Sequence, residues 1–154
     1  MIVVSDTPAI TALLQIGRCE LLLQIYGEIF IPEAVQSELL VLHQVLPPFI
    51  RMRPISNRKD YERLIALVDE GEAEAIVLAK EIKADELLID EADGRRVVRE
   101  EGLHIVGLLG VLLEAKGRGF IPSVRQLTAE LEKTATFHVS DAIKEIIFRA
   151  AGEL

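Results

Sequence analysis

The chain has 154 residues, the length of one ordinary domain, and half of them are hydrophobic, which is enough to form a core. It carries 25 acidic and 17 basic residues, and this net charge of -8 argues against a protein that coats nucleic acid through positive charge. The balance does not exclude a nuclease, because a carboxylate cluster attracts phosphate once divalent cations are bound to it.

Cysteine content and hydropathy exclude further classes of protein. The single cysteine, Cys19, excludes an internal disulfide and a multi-cysteine metal site within the chain. No segment reaches the roughly 20 apolar residues that span a bilayer, and the N-terminus lacks the basic flank of a secretory signal. We expect a soluble, cytoplasmic, non-membrane protein that folds as a single domain over residues 1–154.

The chain opens with a short β-branched strand that ends at Asp6. A helix start follows at once, with Thr7 as the expected N-cap and Pro8 at the first helical position. This order places Asp6 at the carboxyl edge of a sheet, where open α/β folds build their sites.

The rest of the chain alternates between predicted helices and strands. Further strands are predicted at residues 28–31, 86–90 and 104–107, and helices at residues 8–16, 18–26, 32–46, 60–69, 71–83, 91–101, 108–116, 122–135 and 141–154. This alternation predicts an α/β fold, a three-layer α/β/α sandwich with a small parallel sheet.

Two helices carry acids beside their apolar stripes. Glu38 is spaced four residues from Ala34 and Leu42, so it lies on or next to the stripe; it either contacts water at the edge or faces inward, where it needs a partner. Glu72 and Glu74 fall in the first turn of an Ala-rich helix, where the helix dipole explains one of them. Glu74 is expected to point towards the core.

The most basic window of the chain is residues 47–59. It contains Arg51, Arg53, Arg58 and Lys59 and has no clean periodicity. The window has two interpretations, a phosphate-contacting patch and a solvated loop or edge strand, and the second is favoured because charged residues are common at surfaces.

The strand ends bring acids together. The predicted strand at 86–90 also closes on a carboxylate, Asp90, and the ends of parallel strands meet at one edge of the sheet, so Asp6 and Asp90 are expected to be neighbours. Glu38 and Glu74 would complete a cluster of four if their helices approach the same edge. Oxygen-rich sites suit Mg²⁺ or Mn²⁺, and the chemistry that follows is phosphodiester hydrolysis.

Four segments of the sequence resemble the PIN domain family. They are Val-Val-Ser-Asp-Thr-Pro at 3–8, Ile-Pro-Glu-Ala-Val-x-x-Glu-Leu at 31–39, Gly-Glu-x-Glu-Ala-Ile-x-Leu-Ala at 71–79 and Leu-Leu-Ile-Asp-Glu-x-x-Gly-Arg at 87–95. The segment Gly-Leu-Leu-Gly-Val-Leu-Leu at 107–113 is similar to an uncharacterised prokaryotic branch of that family.

The resemblance implies a metal-dependent ribonuclease and a set of site residues. The implied catalytic and metal-binding acids are Asp6, Glu38, Glu74 and Asp90. Alignment back from Arg95 and Arg96 selects Glu91 in place of Asp90, and we favour Asp90 because it continues the strand. A second ion or its outer waters would be held by Glu72, Glu91 or Asp93, and the residues expected to contact substrate are Ser5, Thr7 and Arg95.

The leading hypothesis is a Mg²⁺- or Mn²⁺-dependent endoribonuclease, the toxin of a toxin–antitoxin pair. Its expected partners are an RNA substrate and an antitoxin protein. A homodimer is expected because apolar residues at 108–113 and in the last helix exceed what one buried face needs. The alternatives are a catalytically weak PIN-like binding module and a phosphatase or DNA nuclease built on the same acids.

Overall fold

A computed structural model describes residues 1–90, 92–135 and 137–154, with the backbone alone for Ala92 and Asp93. The strands are β1 (Val3–Ser5), β2 (Ile29–Ile31), β3 (Ile50–Met52), β4 (Glu86–Leu88) and β5 (Ile105–Val106). The helices within these ranges are α1 (Thr7–Gln15), α2 (Glu20–Tyr26), α3 (Glu33–Leu42), α4 (Arg58–Leu64), α5 (Glu70–Glu81), α6 (Ala92–Glu100), α7 (Leu108–Gly117), α8 (Val124–Thr134) and α9 (Asp141–Ala150).

The five strands form one parallel sheet in the order β3-β2-β1-β4-β5. The central strand β1 pairs Val4 with Phe30 of β2 on one side and with Leu87 of β4 on the other. Helices cover both faces, so the predicted α/β sandwich is confirmed. Because the strands are parallel, the segments that follow β1, β2, β3 and β4 all leave from one edge of the sheet.

The core lies in two layers, one on each face of the sheet. Alternate strand residues point to opposite faces: Val3 and Leu88 join the layer formed with α1, α2, α3, α7 and α8, whereas Val4 and Leu87 join the layer formed with α4, α5 and α6. Helix α5 is buried from Gly71 to Ala79 without interruption. It therefore lies at the centre of the second layer and also packs against α3.

Several helix boundaries in the structure differ from the predicted ones. Asp6 takes the N-cap position of α1 and Thr7 is the first helical residue, so the expectation of Thr7 as N-cap is wrong by one residue. Helix α3 ends at Leu42, where His43 is extended ahead of the Pro47-Pro48 segment. The basic window contributes β3 at the sheet edge, in line with the edge-strand interpretation.

The apolar residues that suggested a dimer lie partly in the core and partly at the surface. In α7, Leu108, Val111 and Leu112 are fully buried in the core, and Leu109 and Leu113 are half-buried against it. In α9 the core contact is made by Phe148, and Ile143 and Ile146 are exposed. None of the helices within the described ranges has the length and hydrophobicity needed to cross a membrane.

Candidate functional site

Asp6 lies where the sequence predicts it, directly beyond the end of β1. Its backbone N–H donates to the carbonyl of Leu88 at 3.1 Å, which ties the end of β1 to the end of β4. Its side chain is only 1% exposed. The preceding Ser5 is fully buried, and its hydroxyl donates to the Asp6 carbonyl at 2.9 Å. The Asp6 carboxylate is therefore buried at the carboxyl edge of the sheet, and its backbone is held by the hydrogen bond between the ends of two neighbouring strands.

A cavity of about 120 Å³ opens beside Asp6 at the carboxyl edge of the sheet. Its lining includes four acids from three parts of the chain: Asp6 after β1, Glu38 on α3, and Asp69 and Glu72 at the start of α5. Carboxylates that share one cavity repel one another unless protons or cations offset their charge. The lining therefore has the chemistry of a cation site.

Glu38 reaches this cavity from α3 and is exposed to solvent. The hydroxyl of Thr7 donates to its Oε2 at 2.5 Å, so the first residue of α1 fixes the carboxylate's direction. The edge-of-stripe interpretation of Glu38 is thus confirmed, and its position in the cavity does not require burial. Thr7, predicted to contact substrate, orients an acid in this structure.

Helix α5 presents its two acids to different places. Glu72 is 8% exposed and lines the cavity with Asp6, whereas Glu74 is 6% exposed and faces the start of α3. There the backbone N–H of Ala34 donates to Oε1 of Glu74 at 3.1 Å. Glu74 thus satisfies a backbone donor in the first turn of α3, one of the groups that a helix leaves without an intrahelical acceptor.

Glu74 lines a second cavity of about 390 Å³ that adjoins the first through Glu38. Arg58 is the basic residue in the lining of this second cavity. Its guanidinium carbon lies over the Tyr61 ring, 4.4 Å from the ring centroid. Elsewhere in the basic window, Arg51 pairs with Glu28 and Arg53 lies over the Phe30 ring. Arg51 and Arg53 of the basic window therefore make contacts within the window's own edge of the sheet, whereas Arg58 lies beside the acids of the second cavity.

Asp90 follows β4 and faces a third region. Its Oδ1 accepts hydrogen bonds of 3.1 Å from Nη2 of Arg95 and from the backbone N–H of Leu108, the first residue of α7. Arg95 also donates to the Ile89 carbonyl. Asp90 and Arg95 line a cavity of about 510 Å³ whose other wall is the apolar side of α9. Asp90 is therefore next to Asp6 in strand order but is not part of the lining of the small cavity.

Asp69 is a cavity residue that the sequence prediction missed. It is the N-cap of α5, and its side chain accepts a 2.8 Å hydrogen bond from the backbone N–H of Glu72. The signal was present in the sequence, since an Asp followed three residues later by Glu marks a helix start. Glu91 and the side chain of Asp93, both predicted as metal ligands, lie outside the described residues.

The donor set agrees with a hard divalent cation. Among the side chains that the structure describes, no group of three or more His, Cys, Asp or Glu residues is arranged to hold a metal ion. Magnesium, however, is usually bound through one or two carboxylates with waters and substrate phosphates as its remaining ligands. Asp6, Glu38 and Glu72 meet that need in residue type and in their shared cavity.

The fold and the acid-lined cavity define an α/β protein with a carboxylate site at the carboxyl edge of a parallel sheet. A family model described as PIN domain matches residues 2–153, and the chain belongs to the PIN domain family. PIN domains are generally nucleases that use divalent metal ions, and the fold implies binding of nucleic acid. Comparison with curated proteins and with solved structures gave no match.

Proposed function

We propose that the protein is a Mg²⁺- or Mn²⁺-dependent endoribonuclease that hydrolyses RNA phosphodiester bonds in the cavity beside Asp6. One observation carries the proposal: three carboxylates from three elements, Asp6, Glu38 and Glu72, line one cavity at the carboxyl edge of the sheet. The choice of RNA follows from the resemblance of the sequence motifs to PIN ribonucleases.

The three acids have different roles in the proposed reaction. Asp6 and Glu72 are the buried acids of the cavity and, with Glu38, would hold the cation. When bound, a divalent cation lowers the pKa of water and neutralises charge that develops on the phosphoryl oxygens. Glu38 is the exposed acid of the three, so it is placed to accept a proton from the attacking water. The new P–O bond to that water replaces the ester P–O bond, and the leaving oxygen takes a proton from solvent.

The experiment is a cleavage assay with matched single-stranded RNA and DNA oligonucleotides in Mn²⁺ and in EDTA. The RNA should be cut in Mn²⁺ only, and Asp6→Asn and Glu72→Gln should each lower the rate by on the order of 100-fold. Glu62→Gln, which changes an exposed acid of α4 away from the cavity, is the matched control. Equal cleavage by Asp6→Asn and the parent would overturn the metal assignment, and preferential cleavage of DNA would overturn the substrate.

A second candidate, a catalytically weak PIN-like binding module, is favoured by the hydrogen bonds of two predicted acids. Glu74 and Asp90 accept backbone N–H groups from the first turns of α3 and α7, which is a structural use of a carboxylate. Calorimetric titration of the wild-type chain with Mn²⁺ separates the candidates. Binding supports the nuclease, and no binding at millimolar metal supports the module.

The biological role that we propose is that of a toxin held in check by an antitoxin protein. Production of the wild-type chain in bacteria should slow growth, and Asp6→Asn should not. We also propose a homodimer, now on the basis of Ile143 and Ile146, which α9 leaves exposed. Light scattering tests it: the wild type should have twice the chain mass, and Ile146→Glu should lower it.

A further inference from the structure

Two glycines stand in helices where their backbone does not require glycine. Gly71 lies in the first turn of α5 and Gly94 in the first turn of α6, and neither has the positive φ found at the turn glycines of this chain, such as Gly17 and Gly102. Within a helix, alanine is the more favourable residue, because glycine loses more conformational freedom on folding. Their presence therefore calls for a reason other than backbone conformation.

The space beside each glycine is filled by a carboxylate of the candidate site. A Cβ placed on Gly71 would lie 2.7 Å from Oε1 of Glu38, and a Cβ on Gly94 would lie closer still to Oε2 of Glu72, well inside van der Waals contact. Neither distance is compatible with a side chain at the glycine and the carboxylate in its present place. The two acids thus pass directly against helix backbone.

A third glycine, Gly107, lies equally close to the charged groups of the cavity that Asp90 and Arg95 line. A Cβ on Gly107, at the N-cap of α7, would overlap Nη2 of Arg95 and lie 3.1 Å from Oδ1 of Asp90. By contrast, Gly117 lies in α7 with no positive φ and has nothing within 4 Å of its Cβ position. Close approach to a charged group is therefore a property of particular helix-start glycines and not of helical glycines in general.

We infer that Gly71 and Gly94 are positioning residues, which hold the Glu38 and Glu72 carboxylates at the cavity by admitting them against the backbone of α5 and α6. The inference deepens the proposed function and rests on it for the consequence in metal binding. The packing itself does not depend on metal.

The two glycines differ in what a methyl group would do. Glu38 is exposed, so its carboxylate has solvent to move into when Gly71 is changed to alanine. Glu72 is 8% exposed, and Cδ1 of Ile89 lies 2.8 Å from the Cβ position at Gly94, so neither neighbour has free space around it. Gly94→Ala should therefore disturb the site more than Gly71→Ala does.

The first test is a double-mutant cycle on thermal unfolding in EDTA. Gly94→Ala is compared in the wild-type background and in the Glu72→Ala background, where the obstructing carboxylate is gone. We expect the change to lower Tm in the first background and to raise it by about 2 °C in the second, because alanine is then the better helix residue. Equal Tm changes in both backgrounds would overturn the inference without reference to metal. Gly117→Ala is the control, and it should not lower Tm in either background.

The second test is calorimetric titration with Mn²⁺. Gly94→Ala should weaken binding by about 10- to 100-fold, the usual effect of disturbing a group that orients a ligand. Gly94→Ala combined with Glu72→Asp should recover part of that loss, because the shorter side chain withdraws the carboxylate by about one C–C bond of 1.5 Å. Unchanged Mn²⁺ affinity in Gly94→Ala would overturn the positioning role. Coupling in EDTA together with no Mn²⁺ binding by the wild type would support the packing and overturn the proposed nuclease.

Discussion

The backbone N–H of Ala34 donates a 3.1 Å hydrogen bond to Glu74, which joins the middle of α5 to the first turn of α3. Helix α3 in turn carries Glu38 to the cavity beside Asp6. An acid that the sequence motif suggests as a metal ligand is therefore placed to fix the helix that carries another acid.

Substitutions at Glu74 that remove its acceptor oxygen should change the stability of the fold, whereas substitutions at Glu72 should change Mn²⁺ affinity. Glu74→Ala leaves a first-turn donor of α3 without its acceptor and should cost about 1 kcal/mol, lowering Tm by about 2–4 °C. Glu74→Gln keeps an acceptor oxygen, so it should retain both Tm and Mn²⁺ affinity, whereas Glu72→Gln should lose Mn²⁺ affinity. Thermal unfolding and calorimetry measure the two properties. Loss of Mn²⁺ binding in Glu74→Gln would restore Glu74 to the ligand role that the sequence predicts.

The hydroxyl of Thr7 should matter for metal binding more than for folding. Thr7→Val preserves the shape of the side chain but removes the donor to Oε2 of Glu38. We expect Mn²⁺ affinity to fall by about tenfold, the lower end of the range for a group that orients a ligand. Thr7→Ser keeps the hydroxyl and should behave like the parent. A Thr7→Val variant with parental affinity would mean that Glu38 needs no orientation.

Glu153 should make the fold sensitive to acid. Burial alone would raise its pKa, but hydrogen bonds from Ser123, Lys116 and the backbone N–H groups of Val124 and Arg125 outweigh burial and lower the pKa to about 2. The folded-state pKa lies below the ordinary value of 4.5, so the carboxylate stabilises the protein above about pH 4.5 and this contribution is lost as pH falls towards 2.

Urea unfolding at a series of pH values measures this effect. The wild type should lose more free energy of unfolding between about pH 5 and about pH 2 than Glu153→Gln loses, because the variant has no carboxylate to protonate. Comparison of the two curves removes the contribution of the other acids. Parallel curves would show that Glu153 has the same pKa in both states.

Cys19 should be inert in the folded protein. The thiol is 6% exposed, and burial, with a smaller effect of Glu20, raises its pKa to about 12. The thiolate is the reactive form, so a thiol reagent at about pH 8 should modify the chain only after urea is added. Cys19→Ser provides the background signal. Rapid modification without urea would contradict the buried position.

The sheet edge was predictable because it follows from strand order and chain direction. A strand that ends on a carboxylate and connects to a helix defines where Asp6 and Asp90 lie, and parallel pairing brings both ends to one edge. The structure has both residues there. What strand order does not determine is the cavity that each side chain enters, because Asp90 turns towards the N-terminus of α7.

The choice between Glu72 and Glu74 was not predictable from periodicity. Residues two apart on a helix point about 200° apart, so the two acids must face different neighbours. An amphipathic stripe would identify the inward acid, but α5 is buried on all sides from Gly71 to Ala79 and has no stripe. Only the packing of α5 between the sheet, α3 and α4 sets its rotation.

The burial of α5 also bears on the motions available to the cavity. Amide groups in a helix surrounded by core exchange with solvent mainly through global unfolding, whereas exposed helix ends open locally. Glu72 and Glu74 both lie on this helix, so substrate entry cannot depend on loosening it. Any opening that admits a nucleic-acid strand must come from the other segments that line the cavity, and α3, on which the Glu38 side chain is exposed, is the first of these.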